Sequence, residues 1–151
     1  MRRKDRQRDV DFAKQVFADS EYCTLAMVDE NNKPYCIPIS PVIDNDHIYF
    51  HCATEGKKLD ILKNNNNVCI SCVSYTKLLP EKYTTEYKSA VATGRCEIVL
   101  DKEEALHALL LITKKYAMNN LENFEKEVNS SEGKVYVMRV TIDTITGKAN
   151  I

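Results

Sequence analysis

Residues 47–62, HIYFHCATEGKKLDIL, read as a strand that turns into a helix. Alternation over residues 47–52 marks the strand, and Gly56 breaks it. The helix, over residues 56–64, opens on Lys57 and Lys58. A helix N-terminus carries unpaired N–H groups and the positive end of the dipole, so lysines there do not serve the helix itself. They suit a bound anion such as a phosphate. Thr54 is placed to cap the helix, and Gly56 allows the backbone to come close to a ligand. The alternative leaves both lysines in water, at a cost of about a few tenths of a kcal/mol. A nucleoside-triphosphate P-loop needs a longer glycine-rich loop and a Lys-Ser/Thr pair, and this turn has neither.

Upstream, residues 22–28 (YCTLAMV) and 34–43 (PYCIPISPVI) are strand-like, joined by the turn cluster 29–33. Tyr35, Ile37 and Ile39 share one face. Pro38 cannot donate to a ladder, so it marks an edge or a bulge where something other than a strand approaches. Ile37, Pro38, Ile39 and Ser40 therefore form a candidate border for a flat heteroaromatic ring. With the strand at 47–52 these segments make an antiparallel meander, a barrel or sandwich signature. Residues 9–19 carry Val10, Ala13, Val16 and Phe17 at helical spacing.

Downstream, residues 68–75 and 87–99 are strands, and Gly94 marks a bulge in the second. Residues 76–86 have no clean period and read as a loop at the rim of a site. Asp101 and Glu104 resemble a capping box for a helix whose stripe is Leu106, Leu109, Leu110, Thr113 and Ala117, widened by Ala105 and Ile112. A weaker helix covers 121–128, and residues 134–146 form the last strand. The order is α-βββ-α-ββ-α-(α)-β, without repeat or linker. It predicts a single domain over 1–151, mainly β with flanking helices (α+β), with about six antiparallel strands.

The chain has 151 residues, 44% apolar and 28% charged, with a net charge of -1. That balance gives no electrostatic reason to expect nucleic acid. No apolar run approaches the roughly 18 residues of a membrane span. The polar start MRRKDRQRD lacks the apolar core of a signal peptide, so a cytoplasmic location is expected. The six cysteines then read as reduced thiols in apolar strands, behaving as small buried hydrophobes. Cys69 and Cys72 are spaced C-x-x-C, but a strand puts them on opposite faces. No second pair supports a metal. Of the three histidines, His47 and His107 read as structural. His51 faces away from Phe50 and Cys52, beside the phosphate turn, and is the candidate for chemistry.

The order and spacing of these segments resemble the pyridoxamine-phosphate-oxidase-like split-barrel flavoproteins, most closely their nitroimidazole-resistance branch. The likeness spans the MRRKDR start, Pro38, the YFHCA segment, Gly56-Lys57-Lys58, the strand YKSAVATGRCEIV and the terminal Gly147-Lys148. The resemblance implies an FMN-binding split β-barrel and a homodimer with FMN at the subunit interface. Carried over, Lys57 and Lys58 hold the FMN phosphate with Thr54 and the helix amides around Gly56. Ile37 to Ser40 border the isoalloxazine, with His51, Cys52 and Ala53 close to it. Ser89 and Val91 come from the second subunit. The arginine-bearing phosphate strand of the oxidase itself is missing from residues 48–53, which argues against a vitamin B6 substrate. The implied activity is FMN-dependent reduction of a small aromatic acceptor, a nitroimidazole among the candidates, with electrons from a reduced nicotinamide or another donor. His51 is the catalytic candidate, histidine being the side chain whose ordinary titration falls near neutral pH. The rival is a flavin- or haem-binding module without turnover.

Overall fold

The structure, a computed structural model, describes residues 2–151. Eight strands form it: β1 (Gln7–Arg8), β2 (Cys23–Val28), β3 (Pro34–Ile39), β4 (Val42–Asp44), β5 (His47–Ala53), β6 (Asn67–Leu79), β7 (Thr84–Ile98) and β8 (Val135–Asn150). The helices are α1 (Val10–Asp19), α2 (Lys57–Asn64), α3 (Lys102–Tyr116) and α4 (Phe124–Ser131). The strands follow the order β3-β2-β6-β7-β8-β5-β4, every pair antiparallel, with β1 added on β8. The sheet curls into a split barrel.

Alternation drives the curling. Along β2 the inward Cys23, Leu25 and Met27 are buried, and Thr24 and Ala26 face outward. Leu25, Ile48, Phe50, Ile70, Met138 and Val140 fill the interior. The Asp9 carboxylate caps α1 by accepting from the Phe12 amide. Ala13, Val16 and Phe17 then close one end of the barrel. A side chain on Gly147 would meet Phe12 Cδ1 at 2.8 Å, so glycine lets the helix and β8 pack closely. On the outside, α3 covers Tyr49, Val99 and Val137 with Ala108 and Ile112.

The strand at 34–43 is two strands, because the chain turns at Ser40 and Pro41 between β3 and β4. The segment 76–86 is a hairpin and not a loop. It extends β6 and β7 beyond the barrel and turns at Pro80–Lys82 and Tyr83. Both faces of its arms meet solvent, so no alternation was imposed. With the two-residue β1 these account for eight strands against six. The bulge at Gly94 is present, as a register shift beside Thr93. There the backbone of Thr141 would lie 2.1 Å from an added Cβ. Asp101 caps α3 as expected, accepting from the Glu104 amide. Glu104 does not close the box; its carboxylate binds Tyr49 and Arg139 instead. The buried face of α3 is Ala108 and Ile112, and Leu106 is exposed. Four of the six cysteines are buried; Cys36 is exposed and Cys69 half-buried.

Candidate functional site

The barrel is split where its two sheet ends meet. β3 ends the strand order on one side. On the other, β4 covers only His47–Tyr49 of β5, leaving the rest of β5 with a free edge. The chain leaves β5 at Ala53 and turns through Gly56 into α2. Gly56 has φ +137° and ψ 164°, a conformation open almost only to glycine. It is the N-cap of α2, and no side chain caps the helix. The first amide to reach a backbone acceptor is that of Leu59, on Gly56 O at 2.9 Å. The amides of Lys57 and Lys58 have no acceptor within the helix.

Thr54 is not the cap. It lines a 610 Å³ cavity behind α2 with Leu59, Leu62 and Tyr136. The two lysines diverge. Lys57 Nζ sits 4.4 Å from the centre of the Tyr35 ring, tying the start of α2 to β3 across the split. Among the described residues Lys58 makes no such contact; burial pushes the Cys52 thiol up, and the Lys58 ammonium opposes that shift. An uncapped helix start, an open glycine and two lysines thus stand together at the barrel opening, a candidate anion cradle.

The ring border divides by face. Ile37 and Ile39 turn inward onto the barrel core, as does Cys52. Pro38, Ser40, His51 and Ala53 are exposed. Ile37, Ile39 and Cys52 thus offer a neighbouring ligand their backbone and not their side chains. His51 opens into a cavity of about 150 Å³ walled by Leu109 and Ile112 of α3 and Phe124, Glu127 and Val128 of α4. Sequence reasoning missed this wall, although Phe124 and Val128 stand at i, i+4 on one helix face.

The wall is held by a network that sequence reasoning also missed. Tyr49 Oη donates to Glu104 Oε1 at 2.8 Å, and Arg139 Nη1 donates to both Glu104 oxygens at 2.9 Å. Burial, then the Glu104 hydrogen bond, pushes the Tyr49 phenol up to about 12. For Glu104 burial works upward, but the bonds from Tyr49 and Arg139 outweigh it and leave the carboxyl below its ordinary value. The network anchors α3 on β5 two residues before His51. His107 is structural, as expected, with Nε2 2.9 Å from Asp44 Oδ2.

Ser89 and Val91 lie on β7, away from the cradle in the same chain. They belong to the outward sheet face, where the register sets Pro38, Thr24, Ser71, Val91 and Thr146 in one cross-strand row. Cys36, Ala26, Cys69, Thr93 and Thr144 form the next. No side chain in either row is charged.

Comparison with known proteins places this architecture. The family model described as pyridoxamine 5'-phosphate oxidase matches residues 9–149. The chain belongs to this family. No curated protein matches it. Among solved structures, a candidate 5-nitroimidazole antibiotic resistance protein from Bacteroides thetaiotaomicron is 28% identical, with a TM-score of 0.75, over 93% of this chain and 84% of that one. An FAD-binding protein from Mesorhizobium loti is 17% identical, with a TM-score of 0.68, over 97% of this chain and 98% of that one. An FAD- and haem-binding protein from Mycobacterium smegmatis is 16% identical, with a TM-score of 0.68, over 96% and 73%. At these identities the last two establish the shared fold alone. Within the pyridoxamine 5'-phosphate oxidase family, this member has the uncapped start of α2 at Gly56–Lys58 and an outward histidine of β5 beyond β4's reach at His51. Among the described residues no cluster of three or more His, Cys, Asp or Glu side chains could hold a metal. No helix among them is long and apolar enough to cross a membrane.

Proposed function

We propose that this chain is a homodimeric flavoprotein that binds FMN at the subunit interface and reduces a small aromatic acceptor. The observation that carries the reading is the cradle: uncapped α2 amides, Gly56 at φ +137° and two lysines, at the open side of a barrel of this family. A phosphate there meets free N–H donors and cations, and the groups fit it without rearrangement. Lys57 and Lys58 hold that phosphate. The exposed edge at Pro38 and Ser40, with the backbone of Ile37 and Ile39, borders the ring. Cys52 contributes backbone, and Ala53 leaves room. FMN supplies the redox chemistry; the protein binds, orients and shields it.

His51 is the proton donor or hydrogen-bonding group at the reacting edge, being exposed toward the ring position and backed by the α3–α4 cavity. That cavity, about 150 Å³, suits a single-ring acceptor, and the Bacteroides structure suggests nitroimidazoles as the class to try first. Dimerisation is supported by the two uncharged rows across β3, β2, β6, β7 and β8. Such a face suits burial against a second copy, whose Ser89 and Val91 then reach the flavin.

The visible spectrum of the purified protein tests this. Bound flavin bands, released on denaturation and bleached by NADH or NADPH, with colour restored by a nitroimidazole, are expected. A Soret band would instead support a haem-binding module on the same fold. A colourless protein that refuses added FMN contradicts the reading.

A further inference from the structure

Three polar side chains, Ser20, Cys23 and Cys72, are buried together in the otherwise apolar barrel, with the half-buried Lys115 at its edge. Cys23 and Cys72 are the centre. The β2–β6 register pairs Thr24 with Ser71, Leu25 with Ile70 and Ala26 with Cys69. One step further, that register sets Cys23 opposite Cys72. Both are inward and buried, 1% and 4% exposed. Opposed residues of an antiparallel pair have Cα atoms about 4.5–5.5 Å apart. A disulfide accepts about 4.4–6.8 Å, so the pair can close without moving the strands. The exposed Cys36 and half-buried Cys69 cannot do this within one chain, because Ala26 of β2 stands between them in the row.

The surroundings favour one thiolate. Ser20, 1% exposed, lies beside Cys72, its hydroxyl donating to Val16 O at 2.7 Å. Lys115 reaches in from α3, its ammonium donating to Phe17 O at 3.1 Å and Pro41 O at 2.9 Å. Contact with Cys72, then burial, pushes the Cys23 thiol up. Contact with Cys23 holds the Cys72 thiol down against burial, and the Lys115 ammonium acts in the same direction. The pair thus has a donor, Cys23, and a nucleophile, Cys72, with a cation at hand.

We propose that Cys23 and Cys72 are a peroxide-oxidisable dithiol that closes to a disulfide between β2 and β6. The Cys72 thiolate attacks one oxygen of hydrogen peroxide. The O–O bond breaks, hydroxide leaves and takes up a proton, and Cys72 becomes a sulfenic acid. The Cys23 sulfur attacks that sulfur and loses its proton, and the S–O bond breaks to release water. Two thiols and one peroxide give one disulfide and two waters; the sulfurs are oxidised by two electrons and the peroxide is reduced by two. This rests on the core geometry and not on the flavin reading. Local opening of β2 admits the peroxide, since neither sulfur is open to solvent in the closed barrel.

The test uses the full chain with Cys36→Ser and Cys69→Ser, which removes the two thiols nearest solvent. The protein is treated with hydrogen peroxide, alkylated in denaturant and mapped by mass spectrometry. A Cys23–Cys72 linked peptide, two hydrogens lighter than its reduced parts, is expected, together with a higher Tm than the reduced protein. Cys23→Ser, checked for folding by circular dichroism, is expected to leave Cys72 as trappable sulfenic acid. Full alkylation of both cysteines after peroxide, or a linkage through Cys52 or Cys96 instead, overturns the proposal. Should Cys23→Ser fail to fold, the mapping of the parent protein decides alone.

Discussion

Gly56 and Gly94 are both irreplaceable, for opposite reasons. At Gly56 an added Cβ meets nothing within 4 Å, but φ is +137°. The cost of alanine there is backbone strain, about 1–3 kcal/mol. At Gly94 the backbone angle is ordinary and the space is not, since Thr141 O stands 2.1 Å from the added Cβ. Gly94→Ala is expected to cost about 1–3 kcal/mol by overpacking, more if β8 cannot shift. Urea denaturation measures both. The two differ in a second readout: Gly56→Ala weakens FMN binding beyond its stability cost, whereas Gly94→Ala leaves the cradle intact. That Gly56 separates strand from helix was legible in the sequence, because glycine punctuates both kinds of element. The glycine's role as the cap itself was not, because Thr54 is the better capping residue by type. Only the path of the chain, which turns Thr54 toward Leu59 and Tyr136, excludes it.

At the scale of elements, α3 decides how His51 is enclosed. Its apolar contact rests on Ala108 and Ile112, and its polar one on Tyr49, Glu104 and Arg139. Ile112→Ala is expected to cost about 2–5 kcal/mol. Glu104 carries a pH signature. Its folded pKa lies below its ordinary value, so its contribution is full above that ordinary value of 4.5 and is lost as pH falls through the lower folded one. Glu104→Gln should therefore flatten the acid limb of Tm against pH while leaving Arg139 short of a partner at neutral pH. An acid limb unchanged by the substitution would contradict the network's role. The stripe expected on α3 was right at Ala105, Leu109 and Ile112, which pack on the barrel, but it included Leu106 and left out Ala108. Leu106 is 48% exposed, whereas Ala108 is fully buried, and size misled where spacing alone was available. The strands were more legible, since β2, β5 and β8 each have one face on the core. The outer arms of the β6–β7 hairpin were not, having no core to alternate against.

At the scale of the molecule, the account needs two copies. Lys57 is tied to Tyr35 on β3, and Val91 stands on β7, with β2 and β6 between those strands in the sheet. No bend of one chain brings Val91 to the cradle. Val91→Lys puts a charge in the centre of the uncharged rows and leaves the barrel core untouched. It is expected to give a folded monomer by light scattering that retains little flavin. A dimer with full flavin content would show that some other face is used. The barrel class could be read from the chain, as could the turn from β5 through Gly56 into α2. The uncharged rows proposed as the dimer face could not, because Thr, Ser, Ala and Cys at alternate positions look like ordinary solvent-facing residues until the register sets them side by side.

The central claim is that the start of α2 grips a phosphate on a flavin. Titrating wild type and Lys58→Ala with FMN and with riboflavin tests it most directly. In the proposed site the lysine would form a charge-assisted contact with the phosphate, worth about 1.5–3 kcal/mol, and none with the ring. FMN affinity should therefore fall at least tenfold while riboflavin affinity stays within about twofold. An equal loss for both ligands, or no loss for either, would contradict the account.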